Sequence, residues 1–454
     1  MKLTERLSQG SNGIQRAHSL AVQAPRRAKG GLADTYQQFK VKVHNRLFET
    51  LDVTRLENLD TDVARQKVAA AINETFDEES TLITEGDRER LVIEISNELL
   101  GLGPLEPLLW DDSITDILVN GPNHVYIERE GKLQATSVTF QDEQHLMLII
   151  DRVVSRVRRH IDEASPMVDA RLPDGSRINA IIPPLALDGP ALSIRRFGNR
   201  RLSIDELVNR GTLNQSAVEF LDALVRARLN IMIVGGTGSG KTTLLNCMSS
   251  FIPESERIVT IEDSAELLLQ QPHVVRLETR PPNFEGHGEV TQRDLVRNSL
   301  RMRPDRIIVG EARGAEVYDM LQAMSTGHDG SLTTLHANNP RDSLSRLEMM
   351  MMLWGQAMPE RAMRQQISSA LNVVVHVSRM SDGTRKLLKV SEITGMEGDV
   401  VMMQDLWEFV RTGTGVNGKV LGNMRSTGIR SVYLNRLEGV GYRMDREFSR
   451  TGEA

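Results

Sequence analysis

The sequence has one cysteine, Cys247, among its 454 residues. A single thiol allows no internal disulfide, which excludes a stapled secreted scaffold and makes a reducing cytoplasm the expected compartment. Long apolar runs are missing too. Stretches such as Ile231 to Val234 and Val373 to Val375 fall far short of the roughly 20 residues a helix needs to cross a bilayer. The opening Met1-Lys2-Leu3-Thr4-Glu5-Arg6 lacks the uninterrupted apolar segment of a secretory signal. The expectation is a cytoplasmic chain that does not span a membrane. Positive charge is not in excess: the formal net charge of −6 offers no overall basic surface, so stable nucleic-acid binding is not expected. No internal repeat or long low-complexity tract is visible. What remains, 40% apolar and 26% charged residues, is the composition of an ordinary folded protein. At about 100 to 200 residues per domain, the length calls for about two to four domains.

Residues 1–33 carry Lys2, Arg6, Arg16, Arg26, Arg27 and Lys29 against Glu5, among small and polar residues. This predicts a disordered basic tail, which either touches anionic lipid or is a solvated leader. Over 34–103 apolar residues recur three and four apart: Phe39, Val43, Leu47, Leu51; then Val63, Val68, Ile72; then Leu91, Ile95, Leu99. A small bundle of three amphipathic helices is expected. Gly101, Gly103 and Pro104 end the last of them. Short β-branched runs follow at Ile114 to Val119 and His124 to Ile127, with strands around Arg177 to Ile182 and Leu192 to Phe197 and a helix from Glu143 to His160. These predict a mixed α+β domain over 104–197 and a linker over 198–204, around Gly198-Asn199-Arg200-Arg201. Over 205–454 strand, loop and helix alternate, with strands at Asn230 to Val234, Arg257 to Ile261, Arg306 to Val309 and Ser331 to His336. That alternation predicts an α/β sheet with helices on both faces. Asp382-Gly383 is placed to turn a hairpin between Val373 to Val377 and Lys386 to Val390.

Gly235-Gly236-Thr237-Gly238-Ser239-Gly240-Lys241-Thr242 matches the phosphate-loop pattern in full, after an apolar strand and before a helix starting about Thr242, with Thr243 adjoining. The loop must turn its N–H groups inward around phosphates, with dihedrals and close approaches that a Cβ would obstruct. Lys241 then reaches the β- and γ-phosphates, Thr242 offers a hydroxyl to Mg2+, and the helix N-terminus favours the anion. Cys247, on the helix behind the loop, reads as a small core residue.

Arg306-Ile307-Ile308-Val309-Gly310-Glu311 is an apolar strand that delivers a carboxylate at its C-terminal end, where ligands of open α/β sheets collect. Glu311 can orient water or hold Mg2+. Gly310 stands where many phosphate-loop enzymes have the aspartate that serves the metal, so a second carboxylate is needed, and Glu262-Asp263 can supply it. His328 and His336 bracket one short strand; each reads either as a γ-phosphate sensor or as a structural histidine. Their spacing is not that of a metal site, and no zinc is expected. Arg280 and Arg293 flank the loop Pro281 to Val290 and are candidates to neutralise transition-state charge, as are Arg171, Arg177, Arg195 and Arg196. Met349-Met350-Met351-Met352 reads as core filler on a helix beginning near Arg341.

Thr260 to Leu267, Arg301 to Arg313 and Gly327 to Asn338 resemble the Asp box, Walker B and His box of the type II/IV secretion ATPases. Within that superfamily the chain looks most like the Tad/Flp pilus assembly ATPases, the CpaF branch, to which Leu102 to Leu109 and Arg276 to Pro282 are also similar. The resemblance covers about 35–445. It implies a RecA-like domain in a hexameric ring that powers pilus assembly through an inner-membrane platform protein. It also implies ATP held between that domain and the N-terminal domain, with roles for Lys241, Thr242, Glu262, Glu311, His336, Arg280 and Arg293. Which of Glu262 and Glu311 activates water stays open. The four-cysteine zinc module of many type II relatives is absent, which favours the Tad branch. A type IV secretion channel ATPase and a nucleotide-gated scaffold are the alternative readings.

Overall fold

The computed structural model describes Val43 and residues 61–443, apart from 80–83, 130, 158, 173, 197–201, 283–285, 354, 356–357 and 416–417. The basic stretch 1–33, most of the first expected helix and most of the linker lie outside the described residues. The chain divides into two compact units, Met1–Asn199 and Arg200–Ala454.

In the first unit, helices α1 (Thr61–Glu79) and α2 (Glu85–Leu100) pack through Val68, Ile72, Leu91, Ile95 and Leu99. Val63, assigned to the same stripe, is 43% exposed instead. The Thr84 hydroxyl caps α2 by accepting from the Asp87 N–H. Glu106, opening the short helix α3 (Glu106–Leu109), ties the following turn by accepting from Leu102 N at 2.8 Å and Trp110 Nε1 at 2.9 Å.

Strands β1 (Ile114–Asn120), β2 (Val125–Arg129), β3 (Lys132–Ala135), β4 (Met167–Arg171), β5 (Arg177–Ile181) and β6 (Ala191–Arg195) form one antiparallel sheet, in the order β3-β2-β1-β6-β5-β4. Its inward residues, among them Ile117, Val119, Ile178 and Leu192, cover the apolar stripe Leu146, Ile149, Ile150, Val153 and Val154 of α4 (Glu143–Arg156). The stripe is what period-3.6 spacing demands. The helix ends at Arg156, short of His160, because Val157 leaves helical dihedrals.

The second unit is built on nine strands in the order β15-β14-β13-β12-β7-β11-β10-β8-β9. They are β7 (Ile231–Gly235), β8 (Ile258–Glu262), β9 (Val274–Glu278), β10 (Arg306–Ala312), β11 (Leu332–His336), β12 (Val373–Arg379), β13 (Arg385–Glu397), β14 (Val400–Thr414) and β15 (Val420–Ser426). From β12 to β9 the pairings are parallel; β13, β14 and β15 add an antiparallel meander. The central strand β7 is buried along its whole length, and so reads as a continuous apolar run, whereas the edge strand β9 is only partly buried. Ile231 and Ile233 turn to one core, with α5 (Ile204–Asn209), α6 (Gln215–Arg226) and α7 (Lys241–Ser249). Met232 and Val234 turn to another, with α8 (Gln292–Ser299), α9 (Glu316–Ser325), α10 (Pro340–Met352) and α11 (Glu360–Ala370).

The result is an α/β, RecA-like phosphate-loop domain preceded by an α+β unit. Gly383, at φ +83°, turns the β12–β13 hairpin, and the Asp382 carboxylate accepts from Thr384 N. The methionine run is only half core. Met350 and Met351 are buried, whereas Met349 and Met352 are 66% and 56% exposed, because four consecutive helical residues cannot share a face.

Candidate active site

The loop 235–240 lies between the C-terminal end of β7 and the start of α7, where two neighbouring strands, β11 and β12, diverge in connection. This is the switch point at which open α/β sheets bind ligands. A Cβ on Gly235 would lie 2.2 Å from Val377 O, and Gly240 caps the helix at φ +96°, so both positions require glycine. Ser239 Oγ is buried without a hydrogen-bond partner.

Lys241 is buried, and its Nζ donates to Gly236 O at 3.0 Å and lies 3.4 Å from both ring nitrogens of His336. Burial pushes the ammonium below its ordinary titration range; Arg313 adds to this and Glu311 opposes it. The negative charge of an arriving polyphosphate would act in the same direction as Glu311 and favour the charged ammonium. His336 ends β11 level with Gly235 of β7. Its Nε2 stands 2.7 Å from Glu311 Oε1, an oxygen that nevertheless receives no aligned hydrogen bond. Burial, then Lys241, holds the ring below the usual histidine range, and so neutral at neutral pH. The other Glu311 oxygen is paired with Arg313, whose second nitrogen reaches Asp263 Oδ2 at 3.4 Å.

Glu262 ends β8 beside Gly310, where a Cβ would meet its Cγ at 2.8 Å. That contact is why a glycine precedes Glu311. Glu262 Oε2 accepts from Glu266 N at 2.7 Å and Leu267 N at 2.8 Å, while Oε1 is buried without a donor. Burial raises its pKa to about 7 against these two bonds. Glu262 Oε1 and Glu311 Oε1 are each buried without an aligned donor, and carboxylate oxygens of this kind are the ligand type that a hard cation such as Mg2+ takes.

The family model described as type II/IV secretion system protein matches residues 98–417, and that of the type II secretion system protein E N-terminal domain matches 36–100. The chain belongs to the type II/IV secretion system protein family. A Mycobacterium tuberculosis protein, provisionally named a conjugal transfer protein, is 40% identical over 312 residues, 67% of this chain and 88% of that one. The type IV secretion system protein VirB11 of Bartonella quintana is 33% identical over 301 residues, 57% and 83% of the two chains. Among solved structures, the VirB11 ATPase of the Brucella suis type IV secretion system shares 30% identity over 63% of this chain and 94% of its own, with a TM-score of 0.35. That likeness is one of sequence rather than whole-chain shape.

In this secretion-family ATPase the sequence-derived candidates separate into two groups. Lys241, His336, Glu311 and, beside Gly310, Glu262 are brought together. Arg280 and Arg293 are held elsewhere within the unit: Arg280 Nε donates to Gly288 O at 2.7 Å, and Arg293 pairs with Asp319 at 2.7 Å. In the first unit, Arg195 pairs with Asp116 at 3.2 Å, and Arg171 Nε donates to Gly175 O at 2.9 Å. His328 has a buried Nδ1 without a partner, and Cys247 is buried with its thiol pushed up to about 11. Sequence reasoning missed Arg313 as a site residue, although its position two residues after Glu311 was a usable signal. It also missed Arg385, whose Nε donates to Gly238 O at 3.0 Å. Nothing in the order of residues announces that contact, since 147 positions separate the partners.

Proposed function

We propose that this chain is an ATP-hydrolysing motor that works as a homo-hexamer and powers assembly of a Tad/Flp-type pilus. It would act from the cytoplasmic side on an inner-membrane platform protein, through which it associates peripherally with the membrane. The observation that supports hydrolysis best is the convergence of the Lys241 ammonium, the His336 ring and the Glu311 carboxylate at 3.4 Å and 2.7 Å beside the phosphate loop. Lys241 holds the β- and γ-phosphates, His336 reports on the γ-phosphate, and Glu311 orients the attacking water. Glu262, titrating at about 7, receives its proton. Thr242 and Glu311 would hold Mg2+, which when bound neutralises charge on the β- and γ-phosphates. Arg280 and Arg293 are the arginines that would neutralise charge in the transition state. The Tad assignment is supported by Leu102 to Leu109, Arg276 to Pro282 and the lone cysteine.

The test is Mg2+-dependent phosphate release by the purified protein, beside Lys241→Ala and Glu311→Gln, with the assembled mass determined with and without nucleotide. Each substitution is expected to lower kcat about 100-fold or more, with nucleotide favouring the hexamer. Turnover retained in Lys241→Ala would defeat this reading of the loop. Binding and assembly without phosphate release would favour the nucleotide-gated scaffold. A second reading, a type IV secretion channel ATPase exporting protein or DNA, is favoured by the names of the VirB11 and conjugal transfer relatives. A gene neighbourhood with channel components and no prepilin or platform gene would select it.

A further inference from the structure

The hairpin between β12 and β13 carries two arginines to the mouth of the phosphate loop. β12 runs parallel to β7 with His376 level with Val234, so Val377 to Arg379 pass beside the loop itself. Arg379 and Arg385 face each other in register across the hairpin, and both are exposed. Arg385 Nε donates to Gly238 O, and its Cδ would lie 3.4 Å from a Cβ on Gly240. Arg379 Nη1 stands 3.9 Å from the Cβ position of Gly238. Two guanidinium forks at the rim of a phosphate cradle suit phosphate oxygens, which accept paired N–H donors.

We propose that Arg379 and Arg385 bind the α- and β-phosphates of ATP and ADP, on the side of the loop opposite Glu311 and His336. The strand order fixes the side: β12 flanks β7 on one edge, while β11 and β10, which carry His336 and Glu311, lie on the other. The γ-phosphate belongs to that second group. The hairpin arginines are left with the part of the nucleotide that ADP shares with ATP. Their contribution therefore falls on ground-state binding and appears in KM and in ADP affinity rather than in kcat.

This inference rests on the nucleotide reading of the loop, and titration of the full-length protein with ADP separates the two. Arg379→Ala and Arg385→Ala are each expected to weaken ADP about tenfold, one charge-assisted bond's worth. KM for ATP should rise in step, and the slope of ADP affinity against salt should become shallower in both variants, because a screened charge has been removed. Arg379→Lys should recover part of the loss. Undiminished ADP binding by Arg379→Ala, with binding lost in Lys241→Ala, would overturn the proposal and leave the nucleotide reading standing. So would a loss confined to Arg385→Ala that is equal at all salt concentrations, since Arg385 would then only brace Gly238. Wild-type protein that takes up no ADP would sink both.

Discussion

Glu262 shows how a single side chain's environment separates two otherwise similar carboxylates. It is 3% exposed, its charge is opposed by burial, and two backbone N–H groups satisfy only one of its oxygens. Its folded pKa of about 7 lies above the ordinary value of 4.5. The folded state therefore binds the proton more tightly than the unfolded chain does. The stability this contributes is fully present below about 4.5 and is lost as pH rises through about 7. Glu262→Gln, which keeps the accepting oxygen and removes the charge, should raise the denaturation midpoint at pH 8 and change it little at pH 4.5. The gap should be on the order of 3 kcal/mol, and equal midpoints at pH 8 would count against a buried charge there. The phosphate loop was legible in the sequence because its residues are contiguous and each is dictated by a local need. The raised pKa of Glu262 was not, because it comes from the packing of β8 against Gly310, a contact made only once β8 and β10 pair.

Asn230 acts at the scale of elements. It sits one residue before β7, 2% exposed, and all four of its side-chain hydrogen bonds are made to backbone. Its amide nitrogen donates to Met324 O at 3.3 Å and Ala370 O at 2.7 Å, at the ends of α9 and α11. Its oxygen accepts from Gly330 N at 2.9 Å and Ser331 N at 3.0 Å, at the entry to β11. One side chain thus closes two helix ends and sets the start of the strand that carries His336. Asn230→Asp preserves shape but turns two donors into an acceptor facing two carbonyls. It should cost about 3 kcal/mol or more, read as a lower urea midpoint with an unchanged m-value. A loss below about 1 kcal/mol would mean that the helix ends satisfy themselves. Element existence was readable from periodicity: the apolar runs of β7, β8, β10 and β11 and the stripe on α4 all stand where spacing put them. What spacing could not supply was the pairing order. Arg313, Arg379 and Arg385 reach the site through strand neighbours far away in sequence, and the exposure of Met349 and Met352 depends on what α10 packs against.

At the scale of the whole molecule, the two units have separate cores. Leu146, Ile149 and Ile178 belong to one; Ile231, Ile233 and Ile308, with Met232 and Val234 on the other face of the same sheet, belong to the second unit. Units with independent cores unfold as separate cooperative transitions unless an interface joins them. The phosphate loop, His336, Glu311 and the hairpin arginines are all in Arg200–Ala454, so ADP should stabilise that unit alone. At a free concentration 100 times its Kd, ADP adds about 2.7 kcal/mol. For about 250 residues this corresponds to a rise of roughly 5 to 10 °C in one calorimetric transition, the other staying in place. Scans at several protein concentrations separate this shift from assembly, which alone makes Tm depend on concentration. Two transitions of which only one moves with ADP would confirm that nucleotide affinity is built within the second unit. A single transition that moves as a whole would instead mean that the first unit is energetically part of the nucleotide site, and that ATP turnover can be transmitted to it directly.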